Sequence, residues 1–385
     1  MLRFLHTADW QIGKPYERVA DPSKREALRR QRIKTVRNLA SIIKEHHCSF
    51  VVVCGDTFDS FTPEKSTVAA CCSAIGSLEV PVFLIAGNHD SNAPGCIWDQ
   101  RFFKREMEQL APNLILLRVP EPHITDEAVF LPCPLSGRHI TEDPTQWLRH
   151  SPTALPKKLP SIILAHGSVQ NFSSREDEDQ EGAIQSLHLD LLPPGIADYV
   201  ALGDWHGKKE IDDRTWYSGT PEQDRFARGA NHPGHVLVVE IEAPGTLPKV
   251  TPIPTGCIQW HQKEFHFNDD AALELFIEDV DRLIGSRIDQ DLLKLDLSGS
   301  LSFEGSNRLH DFEESLNARL IDCRINSSVR ALPSTEELNQ LLHLPDPLIS
   351  TVAAHLSAIS QPGSSSEESD LALLALRELY YQANV

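Results

Sequence analysis

The chain has 385 residues, long enough for two or three domains, each with a sizeable core. Its 41% apolar and 24% charged residues form an ordinary globular composition, so disorder is excluded as the default. A formal charge of −19 argues against nonspecific nucleic-acid binding by the whole surface, although a basic patch or bound metal ions can hold a phosphate locally. The opening residues 1–5 turn polar too soon for a secretory leader, and no apolar run is long enough to span a membrane. The 8 cysteines show no C-x-x-C spacing and read as free thiols in a reducing cytoplasm.

In chain order, residues 3–8 read as a strand ending in Asp9-Trp10-Gln11. Residues 24–45 read as a helix with Leu28, Ile33, Val36, Leu39, Ile42 and Ile43 inward. Arg25, Arg29, Arg30, Arg32, Lys34 and Arg37 then form an outer basic face, solvated or turned to a nucleic-acid backbone or acidic partner. Residues 50–54 are short, apolar and β-branched, which suits a strand buried on both faces. Gly55 turns the chain there and delivers Asp56 and Asp59. A helix over 62–78, begun by Thr62-Pro63, precedes a strand over 81–86 that ends in Gly87-Asn88-His89-Asp90. Prolines break up residues 92–160, the least regular stretch. A strand over 161–165 ends in His166-Gly167, and the acidic run at 173–182 reads as an exposed loop. Residues 198–202 form a further strand, ending in Gly203-Asp204-Trp205-His206. His6, His46, His47, His123 and His139 lie outside these motifs and read as structural or surface histidines. An alternating strand over 236–242 closes the first domain, 1–257, and residues 244–256 are rich in turn formers.

From 258 the period changes. Strands over 259–267, 292–301 and 323–329, alternating with helices over 270–284 and 306–321, predict a small α/β domain at 258–342. Helices over 347–359 and 370–382, joined by a flexible linker at 361–368, make a helical tail at 343–385. The last helix presents Leu371, Leu374, Leu379 and Tyr380 on one side, to pack on its own chain or to dock a partner.

Ligands of open α/β sheets lie beyond the carboxyl ends of the strands. Side by side, these strands would bring Asp9, Gln11, Asp56, Asn88, His166, Asp204 and His206 to one edge. They are oxygen and imidazole donors in the right number for two metal ions, with Asp56 placed to bridge them. The ordered set D-x-Q, GDxxD, GNHD, H and GDWH, over residues 5–225, resembles the calcineurin-like metallophosphoesterase superfamily. The resemblance implies a β-sandwich flanked by helices, here carrying an α/β cap and a helical tail. It also implies that Asp9, Gln11, Asp56 and His206 hold one divalent ion, and Asp56, Asn88, His166 and Asp204 the other. His89 would assist the leaving oxygen, with Asp59 fixing its tautomer. Gln11 stands where the superfamily usually has His, and so does Asp204. Both changes make the site richer in oxygen and favour Mn²⁺ or Mg²⁺ over Zn²⁺.

Residues 293–302 with their following helix, together with His6-Thr-Ala-Asp-Trp10 and Ser218-Gly-Thr-Pro-Glu222, look like SbcD-type DNA repair nucleases. That resemblance implies 3′–5′ exonuclease and endonuclease action on DNA, an SbcC-type SMC-like ATPase partner and a homodimer. The alternatives are a phosphatase or cyclic-nucleotide phosphodiesterase, and a metal-binding scaffold with reduced catalysis.

Overall fold

The computed structural model describes residues 1–138, 142–150, 155–169, 186–226, 232–360 and 366–383. The acidic run at 173–182, His139 and most of the 361–368 linker lie outside the described residues. The chain divides into two compact units, Met1–Gln259 and Trp260–Val385.

The first unit runs β1 (Leu2–Thr7), α1 (Pro22–His46), β2 (Phe50–Cys54), α2 (Lys65–Gly76), β3 (Val82–Ile85), α3 (Arg101–Leu110) and β4 (Leu114–Leu116). It continues through β5 (His123–Ile124), β6 (Val129–Cys133), β7 (Ser161–His166), β8 (Ser168–Val169) and β9 (Ser186–Leu187). Then come β10 (Tyr199–Gly203), β11 (Lys209–Asp212), β12 (Thr215–Tyr217), β13 (His235–Ile241) and β14 (Lys249–Pro254). Two sheets result, in the orders β14-β13-β1-β2-β3-β4 and β11-β12-β10-β7-β6-β5. The five motif-bearing strands are therefore shared between two sheets rather than aligned along one edge. Within each sheet they are parallel neighbours, β1-β2-β3 in one and β7-β10 in the other.

The alternation of β2 shows why it is apolar throughout. Val51 and Val53 face α1 and α2, while Phe50, Val52 and Cys54 face the second sheet. Between the sheets Phe4 stacks on Phe50 at 5.1 Å and Phe83 on Phe130 at 3.9 Å, so aromatic packing fills the interior. Asp21 caps α1 by accepting from the Ser23 N–H, and Pro22 opens its first turn.

Four sequence expectations change here. Arg32, assigned to the outer basic face, is fully buried, because its guanidinium finds five oxygen acceptors inside. The helix expected from 62 begins at Lys65. The irregular 92–160 region contains α3 and the buried strand β6, where Pro132 is tolerated because β5 pairs only as far as Phe130. In the turn-rich 244–256 stretch, β14 pairs with β13 in spite of its prolines, being an edge strand.

The second unit follows the expected order of five elements, β15 (Gln259–Phe267), α4 (Asp270–Ile284), β16 (Asp291–Leu301), α5 (Phe303–Arg319) and β17 (Asp322–Ser327), and adds an unexpected short strand, β18 (Arg330–Ala331). Leu293, Leu295 and Leu297 of β16 pack with Phe276 and Val280 of α4 and Leu316 of α5. Three further helices, α6 (Thr335–Leu342), α7 (Pro347–Ile359) and α8 (Ser366–Ala383), bury Leu341, Ala353 and Leu376 against Phe303. Glu337 completes a capping box with Ser334 and also accepts from the Phe303 and Glu304 N–H groups, which ties α6 to the start of α5. The inner face of α8 carries Ala372 and Leu376, whereas Leu371 and Leu374 are exposed, contrary to the expected grouping. All 8 cysteines are free thiols. Among the described residues no helix is long and apolar enough to cross a membrane.

Candidate metal centre

The polar residues follow the strand ends at once: Asp9 and Gln11 after β1, Asp56 after β2, Asn88 and His89 after β3, and Asp204 and His206 after β10. His166 closes β7. Backbone bonds lock the first two loops together, the Asp9 N–H donating to the Gly55 carbonyl at 3.1 Å and the Gln11 N–H to that of Asp56 at 2.9 Å. Four of these residues adopt the left-handed region, with φ 53° at Asp9, 44° at Gln11, 52° at Asp56 and 99° at Asp204. Each such conformation costs roughly 1–3 kcal/mol outside glycine and persists only where the surroundings enforce it. Its concentration at one strand-end cluster marks a site whose backbone is shaped for its side chains.

The two sheets approach closely here because glycine permits it. A Cβ on Gly203 would lie 1.9 Å from the Cys54 carbonyl oxygen, and one on Gly55 would lie 2.3 Å from His166 Nδ1. His166 Nδ1 donates to the Cys54 carbonyl at 2.8 Å, which leaves Nε2 facing inward, 3.6 Å from Asp56 and 3.8 Å from Asp204. The Asp204 N–H donates to both oxygens of Asp9 at 3.1 Å. One end of the Asn88 carboxamide lies 2.9 Å from His166 Nε2 and 3.2 and 3.0 Å from the two Asp56 oxygens.

Ligand atoms of Asp9, Asp56 and His166 lie within 4.8 Å of one another. Burial pushes the Asp9 carboxyl well above the usual range; His166 opposes the shift, while Asp56 and Asp204 add to it. Burial disfavours a charged imidazole at His166, yet the carboxylates of Asp56, Asp9 and Asp204 outweigh it and raise it to about 9. Three carboxylates around one buried imidazole thus demand positive charge, and a divalent cation fits that demand.

The Gln11–His206 side differs. His206 Nδ1 pairs with Asp224 at 3.0 Å, and the Arg225 guanidinium lies beside the same ring. Burial, helped by Arg225, outweighs Asp224 and lowers His206 to about 4, keeping it neutral. Gln11 Nε2 is 3.3 Å from Asp56 and 3.4 Å from His206 Nε2, while its Oε1 accepts from Lys14 at 3.1 Å.

His89 projects at the rim, its Nε2 3.9 Å from Asp56. Its Nδ1 meets the backbone carbonyl of Asp59 at 2.9 Å, so the tautomer is set by main chain rather than by the Asp59 carboxylate. That carboxylate instead lies 3.4 Å from Lys14. Sequence reasoning missed Asp90, which accepts from the Thr57, Phe58 and Gly87 N–H groups and braces the Asp56 and Asn88 loops. Its only signal was the last letter of GNHD. Lys14, Arg32, Asp224 and Arg225 carried no signal of spacing, since the fold alone brings them to the site.

Among solved structures, the chain is similar to TT1561 of Thermus thermophilus, with 12% identity, 66% of this chain and 99% of that one covered, and a TM-score of 0.40. A second solved structure matches with 13% identity over 66% and 98% of the two chains, also at a TM-score of 0.40. At that level neither match bears on fold or function. The family model of calcineurin-like phosphoesterases matches residues 2–208, more than half of the chain and all of the strands that form the centre. With its sandwich and its clustered Asp9, Asp56 and His166, the chain belongs to the calcineurin-like phosphoesterase family, enzymes of metal-dependent phosphoester hydrolysis.

Proposed function

We propose that this protein is a divalent-metal-dependent phosphodiesterase acting on DNA, with Mn²⁺ as its preferred ion and Mg²⁺ as the next. The observation that carries the hydrolytic part is the convergence of Asp9, Asp56 and His166 on one point. Asp9, Asp56, Asn88, His166 and Asp204 would hold one ion, Asp9 being grouped with His166, within 4.8 Å, rather than with Gln11 and His206 as the resemblance implied, and Asp56 with His206 would offer a second position beside Gln11. Bound divalent ions supply charge neutralisation of the phosphoryl oxygens and an activated water. The chain supplies the rest. His89 at the rim donates a proton or hydrogen bond toward the departing oxygen, its Nδ1 anchored on the Asp59 carbonyl. The oxygen-rich donor set supports Mn²⁺ over Zn²⁺.

The same centre suits a phosphatase or cyclic-nucleotide phosphodiesterase. What weighs toward DNA is the resemblance of residues 1–330 to SbcD-type nucleases, including the α/β unit after the centre. On that reading the protein works in the cytoplasm as a homodimer with an SMC-like ATPase, in repair or defence. The test compares bis-p-nitrophenyl phosphate, a phosphomonoester and end-labelled duplex DNA, each with Mn²⁺, Mg²⁺ or Zn²⁺. DNA cleavage strongest with Mn²⁺ is the expected result. Monoester hydrolysis without DNA cleavage would replace the nuclease by a phosphatase, and silence on all three would leave a metal-binding scaffold.

A further inference from the structure

Gln11 makes the two halves of the centre unequal. On the His166 side, ligand atoms of Asp9, Asp56 and His166 lie within 4.8 Å of one another. Each side carries an amide against Asp56, Asn88 on this one and Gln11 on the other, where Gln11 Nε2 lies 3.3 Å from Asp56 Oδ2 and 3.4 Å from His206 Nε2; what sets Gln11 apart is the lysine on its far end. The two ends of a glutamine amide are told apart only by their partners. Here Lys14 Nζ, which can only donate, lies 3.1 Å from the other end of the amide and must face its oxygen. The NH₂ group is thereby turned into the site.

The remaining partners agree with that orientation. Asp224 takes the Nδ1 side of His206 at 3.0 Å, so the Nε2 lone pair is available to accept from Gln11. Lys14 is itself held by Asp224 at 3.1 Å and by Asp59 at 3.4 Å, which makes the arrangement a closed network rather than one flexible contact. A second cation between Asp56 and His206 must break both hydrogen bonds of the Gln11 amide. To recruit Gln11 as a ligand it must also turn the oxygen away from Lys14, whose own charge repels it.

We propose that Gln11, locked by Lys14, acts as a hydrogen-bond donor in place of a metal ligand, so that the chain takes one divalent ion tightly and a second only weakly. This deepens the phosphoesterase reading of the same centre and rests on it. Lys14 is a positioning residue, acting on the metal stoichiometry through Gln11.

Mn²⁺ is titrated into metal-free full-length protein by calorimetry and followed by electron paramagnetic resonance. The wild type is expected to bind one ion, with a second roughly 10- to 100-fold weaker, and to keep a mononuclear Mn²⁺ spectrum at two equivalents. Lys14→Met frees the amide to turn and is expected to strengthen the second step about tenfold, whereas Lys14→Arg, which keeps a cationic donor, leaves it weak. Gln11→His supplies imidazole and is expected to give the spectrum of an exchange-coupled pair. Two ions of like affinity in the wild type would overturn the proposal without any variant. So would a second step unmoved by both Lys14→Met and Gln11→His when melting curves show them folded. Absence of any Mn²⁺ binding would instead sink the metal-centre reading itself.

Discussion

His89 shows what a single residue can do without holding a metal. Its backbone N–H donates to Asp56 at 2.9 Å and its Nδ1 is fixed by the Asp59 carbonyl, so ring position and tautomer are both set by main chain. The ring remains partly exposed, where a leaving group can reach it. Glutamine keeps a polar tip but cannot shuttle a proton. His89→Gln is expected to lower phosphodiester turnover about 10²-fold while divalent-metal affinity stays within twofold, checked by single-turnover hydrolysis beside a binding titration. Unchanged turnover would remove the assigned role. The residue was legible because it sits inside GNHD. What was not legible is that the Asp59 side chain turns to Lys14, since a carboxylate's choice between two partners depends on distances the sequence does not carry.

At the scale of elements, α1 does more than cover a sheet. Arg32 projects from it into the interior and donates to the carbonyls of Trp10 at 2.7 Å, Asp9 at 3.2 Å and Glu222 at 2.9 Å, and to the Thr220 and Tyr16 hydroxyls. It thereby grips the left-handed turn that presents Asp9. A lysine keeps the charge but has three donors on one atom and cannot span those acceptors. Arg32→Lys should strand at least two buried oxygens, costing roughly 2–4 kcal/mol in urea unfolding and weakening Mn²⁺ binding through Asp9. A change under about 1 kcal/mol would mean that the turn is held by other groups. The helix was readable from its apolar period, yet one arginine in a run of six basic residues cannot be singled out as buried by periodicity. Its acceptors lie either 16 to 23 or 188 to 190 positions away in the chain.

At the scale of the whole first unit, stability depends on two sheets meeting across His6. That ring belongs to β1, is fully buried, and bridges to β10 through the Tyr199 hydroxyl at 2.9 Å and the Leu202 carbonyl at 3.2 Å. Burial, only partly offset by the Leu202 carbonyl, lowers His6 from 6.5 to about 3. Between those values the unfolded chain takes up a proton that the folded chain refuses. Stability should therefore fall as the pH drops below about 6.5, by up to roughly 1.4 kcal/mol per pH unit from this group. His6→Gln retains a donor and an acceptor but does not titrate. It is expected to be less stable at pH 7 yet to lose less than the wild type between about pH 6.5 and 4.5, as measured by urea midpoints. Parallel losses in the two proteins would refute the linkage.

The sequence by itself determined the elements and the chemistry that they carry. Apolar runs such as Phe50 to Cys54 end in polar clusters because a strand buried on both faces must surface somewhere, and the Asp, Asn and His in those clusters are donors that a metal ion can use. It also determined the order of the second unit, whose strand and helix periods alternate cleanly. Only the tertiary structure decided that the motif strands divide between two sheets. It alone decided that Gly203 and Gly55 let those sheets close to contact. It decided, too, that Lys14 turns Gln11 inward and that Arg32 is core. Periodicity reports which face of an element is buried but not what lies opposite it. The partners of a buried polar group are fixed by packing between segments far apart in the chain.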